Sequence, residues 1–426
     1  MTTWRTPDNF IQIKSEVEGI TVFAPRPEIV FRSDRPTTYT CPKCGANTKF
    51  KVSAGGIVCE HCGYSSNPDS VMVGTKADEY EFTLDTLQSE KGLGANRQTM
   101  NCEQCGAVIS IPAKSITATC PFCASHRVSR RESFENELQP KFLIPFKLQL
   151  EEIQKLATNW LGKGWFHPEE LTQRARIAQF TGIYLPFWTF DANIISRWKA
   201  EVGYERQESY YDAGSKSWKT RTRIDWRWED GHIDVRFDDL LVNGSAKISK
   251  IILERIKNFD MSALQEYNPD FLAGWNAQQY DINLAEAWEE GKSIMREATK
   301  KACYQDISST HVRNFSMVAD LSDEVWRYIL LPIYISAYQF NGETFQIMVN
   351  GQNGTIAGQK PVAWWKVWLA ISGMLLPGVV LGGIGLPLLL LGGLGIFPLI
   401  LGGILLTIGG VFAYRLYKQA VESEAA

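Results

Sequence analysis

The sequence predicts a multidomain membrane protein: two small four-cysteine zinc ribbons (β), a Trp-rich α+β central region and a C-terminal α-helical transmembrane hairpin. Eight of the nine cysteines form Cys-x-x-Cys pairs before residue 124, and ten of the 14 tryptophans lie between residues 140 and 360. Val367–Tyr414 is a run of 48 residues without Asp, Glu, Lys or Arg. At 426 residues, the chain is too long for a single hydrophobic core.

These composition changes define the expected domains. The central region is expected to form either one unit or two related lobes. The predicted order is an N-terminal segment (1–35), zinc ribbon 1 (36–68), a linker (69–98), zinc ribbon 2 (99–130), the α+β central region (140–360), the membrane hairpin (364–417) and a cytosolic tail (418–426).

The cysteine spacing predicts two structural metal sites of the same design. Fourteen residues separate the inner cysteines of each unit, and a glycine such as Gly45 after the second cysteine lets the backbone fold over the metal. Four thiolates satisfy tetrahedral zinc and leave no open position for water. We expect two Zn²⁺ ions, held by Cys41, Cys44, Cys59 and Cys62 and by Cys102, Cys105, Cys120 and Cys123.

Other uses of these cysteines are less favoured. Residues 1–7 lack the apolar stretch of a secretory signal, so we expect a reducing compartment in which paired thiols bind metal rather than form disulfides. Iron in a rubredoxin-like site is the competing metal. His61 lies between two ligands and is interpreted as a solvated residue. Each ribbon is poor in apolar residues, so metal should supply folding free energy on the order of 10–16 kcal/mol.

The charge balance of the ribbons disfavours nucleic acid as a partner. Between Cys41 and Arg127 there are eight Lys/Arg and eight Asp/Glu, so few counterions would be released on binding phosphates. Phe50, Tyr64 and Phe122 are aromatic residues of the kind that stack on bases, but a small ribbon also needs them for packing. Protein docking or scaffolding is the preferred interpretation.

The uncharged run predicts a membrane anchor. It is long enough for two crossings of about 20 residues each, with arms at Val367–Leu391 and Ile396–Tyr414 and a turn at Gly392–Gly395. Tryptophans precede the first arm and tyrosines end the second. Both residue types prefer the headgroup level of a membrane, so they are expected to mark where the hairpin enters and leaves it. A hairpin that inserts only partway into one leaflet is the alternative, because prolines and glycines interrupt both arms.

Flanking charges predict the orientation of this hairpin. Lys366 precedes the first arm, Arg415 and Lys418 follow the second, and the turn carries no charge. By the positive-inside rule, both termini and the zinc ribbons remain in the cytosol. Gly378 and Gly382 form a Gly-x-x-x-Gly pattern that permits close helix approach, and the glycine-lined hairpin makes a homo-oligomer a further expectation.

Periodicity predicts mixed secondary structure in the remaining regions. An apolar stripe with a 3.6-residue period indicates helices, and alternation indicates strands. Expected helices are Leu150–Leu161, Pro168–Gln179, Ala246–Asn258 and Leu284–Tyr304. Expected strands are Thr48–Val52, Val108–Ile111, Ile183–Trp188, Arg223–Trp228, Ile233–Phe237, Val325–Phe340 and Thr344–Val349, with turns at Glu229–His232, Asn341–Gly342 and Asn350–Gly351.

Two proline-containing strands echo one another in the central region. Ile183–Trp188 resembles Ile329–Tyr334, and Phe142–Phe146 has a similar pattern. Proline within an apolar strand is expected at an edge or a bulge. The favoured explanation of this repeat is two related lobes whose aromatic strands pack together. The alternative is that the aromatic strands form a groove that binds a partner peptide.

No catalytic set emerges from the sequence, and we expect that the chain is not an enzyme. Asp238 and Asp239 are adjacent on a predicted strand, so their side chains should point to opposite faces, and we interpret both as solvated. Cys303 follows two lysines but is interpreted as a buried helix residue. We therefore assign no catalytic or organic-cofactor residues.

The layout resembles a group of bacterial membrane-anchored proteins with duplicated TFIIB-type zinc ribbons. The resemblance depends on the four Cys-x-x-Cys turns, Tyr184–Trp188, Asn350–Gly354 and the terminal hairpin. Relatives in that group are encoded near PspA-like and SPFH (flotillin-like) proteins, so the resemblance implies these as protein partners and a place in the cytoplasmic (inner) membrane as a multi-pass protein.

The predicted function is a membrane-anchored scaffold or adaptor that recruits cytosolic partners to the membrane. Closed metal sites and balanced charge favour this reading, and the resemblance adds a role in membrane stress or membrane organisation. A membrane-tethered nucleic-acid-binding zinc-ribbon protein is the alternative.

Overall fold

The structure of the chain is a computed structural model. It describes residues 10–13, 22–25, 40–67, 72–74, 80–81, 97–112, 120–123, 125, 127–131, 138–171, 176–177, 180–390 and 395–425. Most of the predicted linker, and residues 392–394 of the predicted membrane turn, lie outside these ranges.

Strands form most of the described chain before the C-terminal hairpin. Up to residue 131 they are β1 (Phe10–Ile13), β2 (Val22–Pro25), β3 (Thr48–Lys51), β4 (Gly56–Cys59), β5 (Ser65–Ser66), β6 (Tyr80–Glu81), β7 (Arg97–Cys102), β8 (Val108–Pro112) and β9 (Val128–Arg131). The central region adds β10 (Phe142–Leu143), β11 (Arg176–Ile177), β12 (Thr181–Asp212), β13 (Ser217–Asn243), β14 (Gln265–Glu266), β15 (Asn276–Gln278), β16 (His311–Phe340), β17 (Glu343–Asn350) and β18 (Ile356–Gly358). The helices are α1 (Leu150–Leu161), α2 (Lys250–Ile256), α3 (Leu284–Asp306), α4 (Trp364–Leu390) and α5 (Ile396–Ala425).

One mixed sheet connects the central region to the second cysteine unit. Among the described residues it has thirteen strands, along the path β14-β10-β16-β12-β15-β8-β7-β9. The long strands β13, β12 and β16 lie side by side and antiparallel. Strands β3, β4 and β5 of the first cysteine unit form a separate three-stranded sheet.

The expected turn at Glu229–His232 is wrong, because β13 passes through it without interruption. Gly231 pairs with Trp198 of β12, and a Cβ on Gly231 would lie 2.7 Å from the Trp198 indole. The glycine therefore makes room for a neighbouring ring. The turn that joins β12 to β13 comes earlier, after Asp212, whose carboxylate accepts a hydrogen bond from the Gly214 N–H.

The two echoing proline strands lie beside each other in this one sheet. Tyr184 is opposite Pro332, and Pro186 is opposite Leu330. Pro332 lies between the last residue of β16 that pairs with β10 and the first that pairs with β17. The proline therefore falls at a change of partner strand, where a ladder hydrogen bond is not required.

Several local predictions are confirmed. Helix α1 has the predicted bounds, α3 extends the predicted helix by two residues, and α2 is a shorter form of the third. Strands β16 and β17 form the predicted hairpin, in which Asn341 and Gly342 both have positive φ. The helix predicted over Pro168–Gln179 is wrong at Arg176–Ile177, which forms strand β11 against β16; residues 172–175 and 178–179 lie outside the described part.

A cluster of buried charged side chains lies at the register shift between β12 and β13. Arg327 is 1% exposed and contacts both Asp191, at 3.5 Å, and Asp239. Asp239 occupies a bulge with φ 54°, and its N–H donates to the Asp191 carboxylate. The expectation that Asp239 is solvated is therefore wrong: the bulge turns this side chain inward, while Asp238 stays exposed.

Helices α4 and α5 are both apolar and long enough to cross a membrane. At about 1.5 Å per residue they measure about 40 and 45 Å, against a hydrocarbon thickness of about 30 Å. Prolines 377 and 387 lie inside α4. Trp364 and Tyr417 have ring centroids 5.8 Å apart, so the start of α4 and the end of the apolar part of α5 are at one level.

Glycines set the distance between these two helices. A Cβ on Gly402 would lie 3.0 Å from both the Gly378 carbonyl oxygen and the Gly382 nitrogen, and one on Gly395 would collide with the Gly385 backbone. Gly395 and Gly402 are seven residues apart, which keeps them on one helix face. The predicted glycine contact is therefore made within one chain.

The base of the hairpin is fixed to the central region. Phe166 packs with Val367, Leu416 and Ala420. The Lys360 N–H donates to the Ser423 carbonyl at 2.9 Å. Residues 418–425, expected to be a tail, thus continue α5 and contact the body.

Replacing Gly402 with leucine should lower the free energy of unfolding by about 1–3 kcal/mol, because the new side chain must displace backbone of α4. Gly403→Leu is the matched control, since no atom lies within 4 Å of the Cβ position of Gly403. Denaturant titration in detergent micelles, followed by tryptophan fluorescence, measures both variants. Equal losses would contradict the packing described.

Candidate metal centres

The four Cys-x-x-Cys turns share one backbone geometry. The N–H of each first cysteine donates to the carbonyl five residues later: Cys41 to Ala46, Cys59 to Tyr64, Cys102 to Ala107 and Cys120 to Ser125. Gly45, Gly63 and Gly106 have φ near +70°, a conformation that residues with a Cβ adopt at a cost. The left-handed conformation at these three turns is one that glycine adopts without strain, as its place after the second cysteine predicts.

The structure brings the eight predicted ligands together in the predicted two sets. Within each set the four sulfur atoms all lie within 4.8 Å of one another. The Cys41–Cys62 and Cys105–Cys120 Sγ atoms are 3.5 Å apart, and the Cys44–Cys59 and Cys102–Cys123 Sγ atoms are 3.6 Å apart. A Zn–S bond of about 2.3 Å implies tetrahedron edges of about 3.8 Å. Both sets therefore fit a tetrahedral metal ion.

Backbone amides favour the thiolate form of one cysteine in each set. The Cys62 N–H is the main cause that lowers the pKa of Cys59 to about 6. Burial raises the pKa of Cys102, but hydrogen bonds from the Cys105 and Gln104 backbone and from the Cys123 and Cys105 thiols together lower that pKa to about 7. Thiolates are the form that binds metal.

His61 and Cys303 are residues of types that bind metal, but neither belongs to one of the two four-cysteine ligand sets. His61 is exposed, as expected for a solvated turn residue. Cys303 is fully buried on α3, where its sulfur lies 3.7 Å from the Ser196 hydroxyl.

The first cysteine unit is docked on the central region through β3. Phe50 is 6% exposed, and its ring centroid lies 5.2 Å from that of Phe271. The Phe50 N–H also donates to the Ala273 carbonyl at 2.9 Å. This contact combines apolar burial with a backbone hydrogen bond, so it holds the unit in a defined orientation.

The second unit is continuous with the central sheet. Strand β8 pairs with β15, which places Ser110 opposite Ala277. The Gln346 side-chain amide donates to the Phe122 carbonyl, and Phe122 is 2% exposed. Sequence reasoning missed these docking residues, because their partners are more than 100 positions away and carry no motif.

The chain is similar over 340 residues to the uncharacterized protein YdjG of Bacillus subtilis (strain 168), with 24% identity. The similarity covers 79% of this chain and 94% of YdjG. No family model matches the sequence. No solved structure matches it either.

Metal analysis of the purified protein should give about two zinc ions per chain. Cys59→Ser and Cys120→Ser should each lower this to about one, since three thiolates and a hydroxyl bind zinc far more weakly. Cys303→Ser is the control and should leave the zinc content unchanged. Wild-type protein with one metal ion, or with mainly iron, would contradict the assignment.

Proposed function

We propose that this chain is a membrane-anchored zinc-ribbon scaffold that recruits cytosolic partners to the membrane, in membrane stress or membrane organisation. The observation that carries the proposal is that one sheet-rich body contacts both four-cysteine groups and the base of the apolar hairpin. Such a body holds its modules at fixed positions relative to a membrane anchor, as a scaffold requires.

Zinc in this proposal has a structural role. Four thiolates complete a tetrahedron, so no coordination position is left for water or substrate. The bound ions would rigidify two loop-rich units whose turns depend on hydrogen bonds and left-handed glycines. The chain is accordingly proposed to act by binding rather than by catalysis.

The proposed location is the cytoplasmic membrane, with both ends of the hairpin and both cysteine units in the cytosol. Antiparallel packing of α4 and α5 supports this topology, because it gathers Lys366, Arg415 and Lys418 at one end. Lys366 also pairs with Glu169 of the body at 2.9 Å. Positive charge at that end favours the cytosolic side.

Proteins are the proposed partners, with PspA-like and SPFH-like proteins as the first candidates. The burial of Phe50 and Phe122 against the body supports this reading over nucleic-acid binding, since neither ring is available to stack on a base. Assembly into a homo-oligomer is part of the proposal.

Reporter fusions test the topology. Green fluorescent protein fused after residue 426 should fluoresce, and alkaline phosphatase at that position should be inactive, because flanking positive charges keep this end in the cytosol. Alkaline phosphatase inserted between Gly392 and Gly393 should be active. Phosphatase inactive at both positions would instead support partial insertion, and the reverse pattern would contradict the orientation.

Cross-linking in membranes tests the scaffold role. After affinity capture and quantitative mass spectrometry, Cys41→Ser and Cys102→Ser should each reduce the recovery of partners, because an unclosed metal site leaves the docking unit disordered. Cys303→Ser, which removes a thiol outside both sets, should match wild type. Unchanged recovery with the ligand variants present in the membrane at normal levels would contradict the proposal.

A further inference from the structure

Among the described residues, the end of β13 near Ser217 forms an open sheet edge. There β13 pairs with β12 alone, because β16 begins at His311, which is opposite Gly203. The distal arm, Tyr204–Asp212 paired with Ser217–Asp225, is therefore a two-stranded ribbon. Long open edges expose backbone donors and acceptors that pair readily with another strand.

The side chains of this arm alternate regularly in character between its two faces. Odd-numbered residues from Lys219 to Glu229 share the face of Tyr204, and even-numbered residues from Trp218 to Trp228 share the opposite face. The even face carries Ile224, Trp226 and Trp228, and Trp228 is 56% exposed. The other face carries Lys219, Arg221, Arg223, Asp225, Arg227 and Glu229. Charged side chains protect an edge from indiscriminate pairing, so a strand that pairs here must offer complementary charges.

We propose that this edge binds a second copy of the chain, with β13 antiparallel to the partner's β13 and a two-fold axis through Ile224. In that register, residues whose numbers sum to 448 are opposite one another. Ile224 then faces itself, Thr222 faces Trp226 and Thr220 faces Trp228. β-Branched residues opposite aromatic ones are among the favourable cross-strand pairs.

The charged face is complementary in the same register. Arg223 is opposite Asp225 and Lys219 is opposite Glu229, and the symmetry makes each of these pairs twice. Arg221 is opposite Arg227 in this register, which is a repulsive pair. Partners within each chain compensate the charge of both arginines. Arg221 donates two hydrogen bonds to Glu208, and Arg227 lies over the Tyr204 ring at 5.8 Å.

The pairing joins strands β16, β12 and β13 of one chain to the same strands of the other in one continuous sheet. Residues from Ser217 to Gly231 of each chain take part, so the turn after Asp212 of one chain reaches the level of Gly231 of the other. This surface is distinct from the membrane hairpin, whose buried glycines are occupied within one chain. The inference specifies the homo-oligomer of the proposed function, and it depends neither on zinc nor on the recruitment of other proteins.

Multi-angle light scattering of the full-length protein in detergent tests the pairing. Wild type should have a protein mass twice that of the 48.1 kDa chain. Ile224→Lys places two cations on the axis and should abolish the dimer. Val318→Lys, at a residue that is 61% exposed on β16, is the matched control and should remain dimeric. A monomeric wild type, or a dimeric Ile224→Lys, would overturn the proposal.

Exchanging the charges at positions 223 and 225 distinguishes a loss of strand pairing from misfolding as the cause of a lost dimer. Arg223→Asp alone opposes two carboxylates and should abolish the dimer, while Arg223→Asp combined with Asp225→Arg restores opposite charges and should recover it. In addition, Ile224→Cys should form a covalent dimer with a short bismaleimide, and Val318→Cys should not. Failure of the double variant to recover the dimer, or equal cross-linking at both positions, would refute the register.

Discussion

Pairing between β12 and β16 organises the rest of this protein. Each strand is about 30 residues long, and they are antiparallel from Thr181 opposite Ile335 to Gly203 opposite His311. Strands β10, β15, β17 and β13 add to this pair, and β15 carries the sheet into the second cysteine unit. Because strand register fixes which side chains face the core, a one-residue slip would misplace every docked element. The contact of Arg327 with Asp191 and Asp239 opposes such a slip, since it would leave a buried charge without its partners.

The cysteine units gain stability from the body in addition to the metal ions that their ligand sets could hold. Their sequences suggest metal as the main contribution, because each ribbon has few apolar residues. In the folded chain, Phe50 belongs to the apolar cluster around Trp188, and Phe122 to the cluster around Leu331. Burial of an aromatic side chain of this size contributes about 2–3 kcal/mol. The body therefore adds to the stability of both units.

Features with a local signal were predictable from sequence, and features with distant partners were not. Cysteine spacing predicts both ligand sets, and Asn341–Gly342 predicts its hairpin, because these motifs contain the interaction within a few residues. The turn predicted around Gly231 is wrong, since nothing nearby in sequence reveals that Trp198 lies against this glycine. The Arg176–Ile177 segment has a helical pattern but pairs with β16, where tertiary contacts override propensity.

Several contacts hold the body to the base of the apolar hairpin, and they set the direction of the long strands β12, β13 and β16. Lys360 is 5% exposed, and its ammonium group donates to the Trp160 and Lys163 carbonyls at the end of α1. Burial, followed by the nearby Lys163 charge, lowers the pKa of Lys360 to about 8. Carbonyls at a helix C-terminus partly compensate such a cation. With the end of α5 bonded to the same segment, the body cannot swivel freely about the hairpin. The arm, whose tip is at the opposite end of β12 from this attachment, therefore keeps a defined direction relative to the hairpin.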